Sequence, residues 1–280
     1  MIKVFTPENI IREKVIELWK HSFGDSAEYI NFFLDECPDY LCIADIVDNS
    51  VVSMFFLLEG ELAGEKSKYL YAACTHTDFR KKGLMSDLIN YAIAYCKDQG
   101  YSSIFLVPAN PELYSYYAKF GFIPSFRKKV LRIKNSEENT NTNYCTTDIE
   151  KILKLKRRLQ NKVDGFQFSA DVTEYTIKEH LYNGGEIHLL NDDTLFFTYY
   201  NDKSLVVKEY LTEKIDNYDY LYNFFVDKST ENIYISTPIV YNNKDIVGEY
   251  TKCGMALPLC NELMDYLEMH QDLYASMYLD

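Results

Sequence analysis

The chain has 280 residues, 47% of them hydrophobic and 25% charged, so one large domain or two modest ones can bury a sizeable core. Its formal net charge of −13 argues against a nucleic-acid partner, because an acidic chain repels phosphate backbones; the charge would attract a cationic substrate such as an amine or serve solubility alone. Seven cysteines without a Cys-x-x-Cys pair, and no signal-peptide or membrane-spanning stretch, indicate a reduced cytoplasmic protein with no disulfide framework, structural metal or membrane association.

The first predicted elements are two helices and a hairpin. Thr6-Pro7 is typical of a helix start, with Thr6 as N-cap and Pro7 at the first helical position. A second helix is predicted over 27–34. Apolar strands at 41–47 and 51–58 flank Asp48-Asn49-Ser50, whose composition predicts a hairpin turn.

The segment 68–122 carries the strongest functional pattern. A strand at 68–75 leads into the basic turn Arg80-Lys81-Lys82-Gly83-Leu84-Met85 and an amphipathic helix; a strand at 103–107 and a short helix ending at Phe122 follow. The first N–H groups of a helix lack intrahelical partners and, with the helix dipole, form an anion site. Three cations there oppose the dipole by about 0.3–1 kcal/mol each, which a bound anion offsets. We therefore expect a phosphate site rather than a solvated helix start.

The chain after this segment begins with a polar stretch and then restarts a similar pattern. Residues 134–147 are low in complexity and indicate a linker. Helices are predicted from Asp148 to about 162, over 173–182 and over 218–226, with a hairpin at 186–200 and strands at 205–211 and 232–236. This order repeats that of the first half, but no basic glycine turn follows Leu211.

The motifs of the first half resemble the GNAT acetyltransferase superfamily. The family signature Arg/Gln-x-x-Gly-x-Gly/Ala reads Arg80-Lys81-Lys82-Gly83-Leu84-Met85 here, with Met85 departing from the small final residue. The second signature appears as Asn110 followed by Tyr116-Tyr117-Ala118-Lys119-Phe120-Gly121-Phe122. The duplicated order is distantly similar to the enhanced intracellular survival type of acetyltransferase. The resemblance implies an α/β (α+β) GNAT fold, with a mixed, mostly antiparallel sheet flanked by helices.

This resemblance also implies a domain division and a set of site residues. Residues 1–133 would form the catalytic domain, 134–147 a linker, and 148–280 a degenerate GNAT-like domain. Acetyl-CoA would be the cosubstrate, and Tyr117 would be the general acid for the departing sulfur. The residues expected to bind the cosubstrate are Cys74, Thr75, Arg80, Lys81, Lys82, Gly83, Leu84, Met85, Ser86 and Asn110.

The general base and the acceptor stay open at this stage. Ordered water, His76 and the terminal carboxylate of Asp280 are the candidates for the base, because no acidic residue lies in 69–75. The acceptor would be a primary amine on a small molecule or a peptide, and the sequence does not define the oligomeric state. Two other functions remain: a CoA-binding regulatory or scaffold module, and an acyltransferase for longer chains in which Met85 and Met54-Phe55-Phe56 widen the acyl site.

Overall fold

The structure is a computed structural model that describes residues 1–134, 145–214, 231–239, 248–276 and 279. The described strands are β1 (Ile2–Phe5), β2 (Leu41–Val47), β3 (Ser50–Leu62), β4 (Glu65–Thr75), β5 (Ser103–Leu106), β6 (Ile123–Lys134), β7 (Gly165–Phe168), β8 (Glu186–Leu190), β9 (Thr194–Asn201), β10 (Ser204–Thr212), β11 (Asn232–Thr237), β12 (Gly248–Pro258) and β13 (Tyr274–Ala275). The described helices are α1 (Arg12–Phe23), α2 (Ala27–Glu36), α3 (Leu84–Asp98), α4 (Pro111–Ala118), α5 (Ile149–Gln160), α6 (Ala170–Tyr182) and α7 (Asn261–Met269).

All these strands belong to one mixed sheet that runs through both halves of the chain. Its order is β1-β2-β3-β4-β5-β12-β6-β11-β10-β9-β8, and β7 pairs with β3 and β13 outside this path. Most neighbours are antiparallel; β4 with β5, β10 with β11, and β7 with β13 are parallel. The predicted fold class, a mostly antiparallel sheet with flanking helices, is confirmed.

Local capping and turn chemistry explains most of the elements that the sequence predicts. Asp48 and Asn49 both have positive φ angles, as a tight hairpin turn between β2 and β3 requires. The side chains of Ser26 and Asp148 accept backbone N–H groups at the starts of α2 and α5. The hairpin formed by β8 and β9 is also confirmed.

The helix start predicted at Thr6-Pro7 is wrong, although the helix itself is present. Residues 2–5 form β1, which pairs with β2, and the chain then makes a turn in which the N–H of Asn9 donates to the carbonyl of Thr6 at 3.1 Å. The helix begins only at Arg12. Local contacts close this turn instead: the Thr6 hydroxyl donates to Glu8, and the Thr6 N–H donates to Asn9 Oδ1 at 2.8 Å.

The core lies on both faces of the sheet. On one face, α1 and α2 bury Trp19 and Phe33 against Phe56, whose ring centroid lies 5.3 Å from that of Trp19 and 4.9 Å from that of Phe33. On the other face, α3 buries Leu88 and Ile89. A separate cluster lies between α5 and the strands of the second half. None of the described helices combines the length and hydrophobicity that crossing a bilayer requires.

The C-terminal part of the chain contributes directly to the sheet of the first half. Strand β12 lies between β5 and β6, and β7 pairs with the end of β3 at Gly60, where a Cβ atom would collide with the Phe166 ring. Strands β7, β12 and β13 and helix α7 were not predicted from the sequence. Most of the predicted linker and the predicted helix at 218–226 lie outside the described residues. The division into 1–133, 134–147 and 148–280 therefore stays a prediction.

A buried ion pair ties the second half to the C-terminal segment. Lys156 on α5 pairs with Glu209 on β10, and both side chains are almost completely buried. Ser276 accepts from Lys156 Nζ at 3.1 Å and donates to Glu209 Oε1 at 2.9 Å. Burial lowers the pKa of the Lys156 amine, and the Glu209 carboxylate opposes that shift.

Glu209→Gln is expected to lower the free energy of unfolding by about 3–5 kcal/mol, because it leaves the Lys156 ammonium buried without its counter-charge. Urea unfolding followed by circular dichroism measures the change. Glu213→Gln is the matched control, since it removes an exposed carboxylate that pairs with Arg158 and Lys162 and should leave stability nearly unchanged. Equal stability of the two variants would show that the buried pair does not stabilise the fold.

Candidate active site

The central feature of the site is a fork between β4 and β5. Their parallel ladder runs from Ser67 opposite Ser103 to Tyr69 opposite Phe105, and the strands diverge beyond that point. A cavity of about 460 Å³ opens there, which we term the fork cavity. It is lined by Trp19, Phe23, Asp25, Tyr69, Leu70, Tyr71, Ala72, Ala73, Leu106, Val107, Pro108, Ala109, Leu113, Tyr117 and Leu279.

A bulge in β4 lies on the wall of the fork cavity. The pairing with β3 shifts between Cys74 opposite Met54 and Tyr71 opposite Phe56, and Ala72 has a φ of +52°. The left-handed region costs a non-glycine residue about 1–2 kcal/mol. Such strain is concentrated at functional sites, where a bulge redirects backbone groups out of the ladder. The bulge was not predicted, because no residue in 68–75 is a glycine, asparagine or aspartate that would mark it.

A second depression, the turn groove, continues from the fork cavity along the basic turn. Its volume is about 550 Å³. Eight of the residues predicted to bind the cosubstrate line it: Cys74, Thr75, Arg80, Lys81, Gly83, Leu84, Met85 and Ser86. Phe23, Ala73, Leu113 and Tyr117 line both the turn groove and the fork cavity, so the two depressions are neighbours with a shared wall.

The turn presents backbone donors to the groove. Helix α3 makes its first bond from the N–H of Asp87 to the carbonyl of Gly83 at 3.0 Å, so the N–H groups of Leu84, Met85 and Ser86 precede the helical ladder. Gly83 has a φ of +85°. Arg80 is held back toward β4, where its Nε donates to the carbonyl of Thr75 at 3.1 Å. Donors at a helix N-terminus beside cationic side chains fit a diphosphate.

Two of the predicted residues lie outside both depressions in the described structure. The Nζ atom of Lys82 lies over the Phe79 ring, 4.7 Å from its centroid. The Asn110 side chain caps α4, accepting from the N–H groups of Glu112 at 3.1 Å and Leu113 at 3.2 Å. Asn110 thus fixes the start of the helix that carries Tyr117; a role for either residue in ligand contact stays a prediction.

Tyr117 lies where the two depressions meet. Its side chain is 7% exposed and lines both of them. Burial, with a smaller effect of Tyr116, raises the pKa of its phenol to about 12. The hydroxyl therefore keeps its proton throughout the neutral range and acts there as a donor.

Neither His76 nor Asp280, the two residues considered as the base, is among the described residues that line the fork cavity. His76 is stacked on His21 with ring centroids 4.3 Å apart, and its Nδ1 accepts from the N–H of Asp78 at 3.3 Å. Asp280 lies outside the described residues, although the preceding Leu279 lines the fork cavity and its carbonyl accepts from the Tyr69 hydroxyl at 3.0 Å.

A carboxylate that no sequence pattern singles out does line the fork cavity. Asp25, between α1 and α2, accepts from Trp19 Nε1 at 2.7 Å. It also lines a third depression of about 580 Å³, the helix groove, formed with residues from the second half. The helix groove is lined by Asp25, Tyr29, Glu179, His180, Asn183, Gly184, Gly185, Tyr199, Tyr200 and Lys208. Asp25 therefore lines both the fork cavity and the helix groove.

The proposed widening of the acyl site by Met54-Phe55-Phe56 does not match the structure. All three side chains are completely buried in the core, and none lines the fork cavity or the turn groove. Alternating faces of a central strand direct them into the two core layers. Met85 does line the turn groove.

A comparison of the sequence with known families finds a match over the segment that contains the fork and the basic turn. The family model described as Acetyltransferase (GNAT) family matches residues 8–122. This match spans 115 of the 280 residues, so this part of the chain is similar to the GNAT acetyltransferase family. The match supports an acyltransferase, and GNAT enzymes use an acyl-CoA cosubstrate. No curated protein sequence matches the chain.

Solved structures show the same GNAT fold over almost the whole chain. A conserved protein of unknown function from Enterococcus faecalis V583, described as a probable N-acyltransferase, is 12% identical with a TM-score of 0.68, covering 92% of this chain and 73% of its own. Eis1 from Mycobacterium abscessus is 11% identical with a TM-score of 0.63, covering 94% and 75%. A tandem GNAT protein from the clavulanic acid biosynthesis pathway is 8% identical with a TM-score of 0.56, covering 93% and 99%.

Proposed function

We propose that this protein transfers an acetyl group from acetyl-CoA to a primary amine by direct attack. The observation that carries the proposal is that the turn groove and the fork cavity adjoin, with Tyr117 lining both. The turn groove offers cations and the N–H groups that precede the helical ladder to a diphosphate, and the fork cavity offers a half-open, mostly apolar space for a reacting group.

The residues that line the turn groove and the fork cavity would have separate roles. The N–H groups of residues 81–86 and the charges of Arg80 to Lys82 would bind the diphosphate. The pairing of β4 with β5 ends at Tyr69. Beyond that point, the edge of β4 at Cys74 and Thr75 would pair with the amides of the pantetheine arm. Acetyl-CoA supplies the acetyl group, and CoA leaves as the free thiol. Tyr117 would hydrogen-bond and protonate the departing sulfur.

The acceptor would enter from the side of the helix groove. Asp25 lines both the helix groove and the fork cavity, and Glu179 adds a second carboxylate to the lining of the helix groove. Two carboxylates along one route favour a cationic amine as acceptor. Because His180, Lys208 and Asn183 from the second half also line this route, we propose that residues 148–280 shape acceptor binding rather than bind acetyl-CoA.

The direct test is release of free CoA from acetyl-CoA in the presence of a panel of amines: polyamines, aminoglycosides, amino acids and peptides. We expect one class to raise CoA release well above the hydrolysis background and to give an acetylated amine by mass spectrometry. Tight acetyl-CoA binding without transfer to any of these amines would instead favour the regulatory or scaffold module. Faster release from longer acyl-CoA thioesters would favour the alternative acyltransferase.

A further inference from the structure

A chain of hydrogen bonds connects the fork cavity with the helix groove. The hydroxyl of Tyr71, on β4, lies 3.3 Å from the hydroxyl of Tyr29, on α2. The Tyr29 hydroxyl lies 3.2 Å from Oε1 of Glu179, on α6. Tyr71 lines the fork cavity, whereas Tyr29 and Glu179 line the helix groove. Three side chains from three elements thus connect the two cavities.

The acceptor oxygen at one end fixes the direction of the whole chain. Glu179 Oε1 also accepts from the Asn183 side-chain amide at 2.7 Å, so it serves as an acceptor. Tyr29 has one hydroxyl hydrogen and directs it to Glu179; the hydrogen between the two tyrosines must then come from Tyr71. The Tyr71 oxygen is left with a lone pair as an acceptor. The chain therefore presents to the fork cavity an oxygen suited to an N–H group.

We propose that Glu179, acting through Tyr29 and Tyr71, is the proton acceptor for the amine that is acetylated in the fork cavity. This inference rests on the proposed function. In it, Tyr71 contacts the amine, and Tyr29 and Glu179 are positioning residues that act through Tyr71. Glu179 supplies a carboxylate from α6, because residues 69–75 of β4, which lie nearest the site, contain no acidic side chain.

Each step of the relay balances. The amine N–H bond breaks as its proton bonds to the Tyr71 oxygen, the Tyr71 proton passes to the Tyr29 oxygen, and the Tyr29 proton passes to Glu179 Oε1. The amine loses one proton and Glu179 becomes a neutral carboxylic acid, with both tyrosines unchanged. Burial raises the pKa of Tyr71 and of Tyr29, so neither accumulates as a phenolate. Glu179 then returns the proton to water in the helix groove.

Packing holds the relay in place across the two halves. The rings of Phe32 on α2 and Tyr182 on α6 are stacked with centroids 4.1 Å apart, and Phe33 contacts Tyr175 edge-on at 5.7 Å. Tyr71 and Glu179 are each 7% exposed. A relay of buried hydroxyls needs this rigidity, because proton transfer requires that donors and acceptors stay within hydrogen-bonding distance.

Other charged and titratable groups surround the relay. Asp25 faces it from the loop before α2, His180 from α6, and Lys208 from β10, while Tyr199 and Tyr200 on β9 complete the groove. Burial lowers the pKa of His180, which therefore stays neutral near pH 7. Asp25 is the competing proton acceptor, since it also lines the fork cavity.

The test compares Tyr71→Phe, Tyr29→Phe and Glu179→Gln with the parent protein by steady-state kinetics from pH 6 to pH 9.5. Each change keeps the size of the side chain and interrupts the relay. At pH 7 we expect kcat/KM for the amine to fall about a hundredfold, with the acetyl-CoA dissociation constant unchanged. The deficit should shrink toward pH 9.5, because the free-amine fraction rises about tenfold per pH unit below the amine pKa. Tyr29→Phe combined with Glu179→Gln should be no slower than either single variant, since the two act in series.

Tyr101→Phe is the matched control, because it removes a tyrosine hydroxyl that donates to a glutamate, Glu59, at 2.7 Å outside the three depressions. It should retain parent activity. A deficit that is constant with pH, or additive losses in the double variant, would overturn the relay in favour of a structural role. Unchanged kinetics in Glu179→Gln together with a loss of activity in Asp25→Asn would also overturn the relay, in favour of Asp25 as the proton acceptor. If the parent protein acetylates no amine, the proposed function fails instead, and that result is distinct from each of these.

Discussion

Tyr117→Phe is expected to lower kcat about a hundredfold while leaving the acetyl-CoA dissociation constant within about twofold of the parent value. General acid catalysis contributes about 10²–10⁴ in rate, and phenylalanine keeps the ring that fills the junction between the fork cavity and the turn groove. The raised pKa of about 12 keeps the phenol protonated, so the loss should be nearly constant from pH 6 to pH 9. Steady-state kinetics and isothermal titration calorimetry measure the two quantities separately.

The control for this variant lies on the same helix. Tyr114 is a partly buried tyrosine of α4 that lines neither the fork cavity nor the turn groove. Tyr114→Phe should therefore keep the parent kcat, which separates the loss of one hydroxyl at the junction from a general disturbance of α4. If Tyr117→Phe turns over as fast as Tyr114→Phe, the tyrosine is not the acid.

Gly83→Val is expected to weaken acetyl-CoA binding about tenfold to a hundredfold. The φ of +85° at Gly83 costs a side chain about 1–3 kcal/mol, and a β-branched one is the least tolerant of it. If the turn relaxes to escape this strain, the N–H groups of Leu84 to Ser86 no longer converge, and each charge-assisted bond lost contributes about 1.5–3 kcal/mol. A change of about 1.4 kcal/mol is tenfold in affinity. Calorimetric titration with acetyl-CoA measures the change.

Gly64→Val provides a control with the same backbone and the same free space. Gly64 has a φ of +77° in the hairpin between β3 and β4, and like Gly83 it has no atom within 4 Å of the position that a Cβ would take. Both variants should lose similar stability on heating, but only Gly83→Val should lose affinity. Equal affinities in the two variants would contradict a diphosphate site at this turn.

The part of the site that could be predicted from the sequence is the part built from consecutive residues. The basic turn and α3 follow from local signals, a glycine before the helix and apolar residues at helical spacing, and α4 was predicted as a short helix without the cap that Asn110 provides. Eight of the ten predicted cosubstrate residues line one groove because they belong to a single strand–turn–helix unit. The helix start predicted at Thr6 was wrong because contacts of Thr6 with Glu8 and Asn9 close a turn, an alternative that the Thr6-Pro7 pattern does not exclude.

The missed residues come from distant parts of the chain. Asp25, Tyr29 and Glu179 carry no motif, and 25 tyrosines make any one of them uninformative in the sequence. They become a set only because α2 packs on α6 through Phe32 and Tyr182. Likewise, β12 gives no sign in its composition that it lies between β5 and β6.

The amino-acid sequence by itself indicated the resemblance to GNAT acetyltransferases, the basic turn that begins α3 and the tyrosine on α4, because short-range backbone geometry creates a helix N-terminus wherever the right residues are consecutive. Only the tertiary structure decided where β4 and β5 separate, how Ala72 bends the strand, and which carboxylates line the helix groove. Those features depend on sheet order and on contacts between the halves, and such contacts arise from the burial of surfaces that lie far apart along the chain.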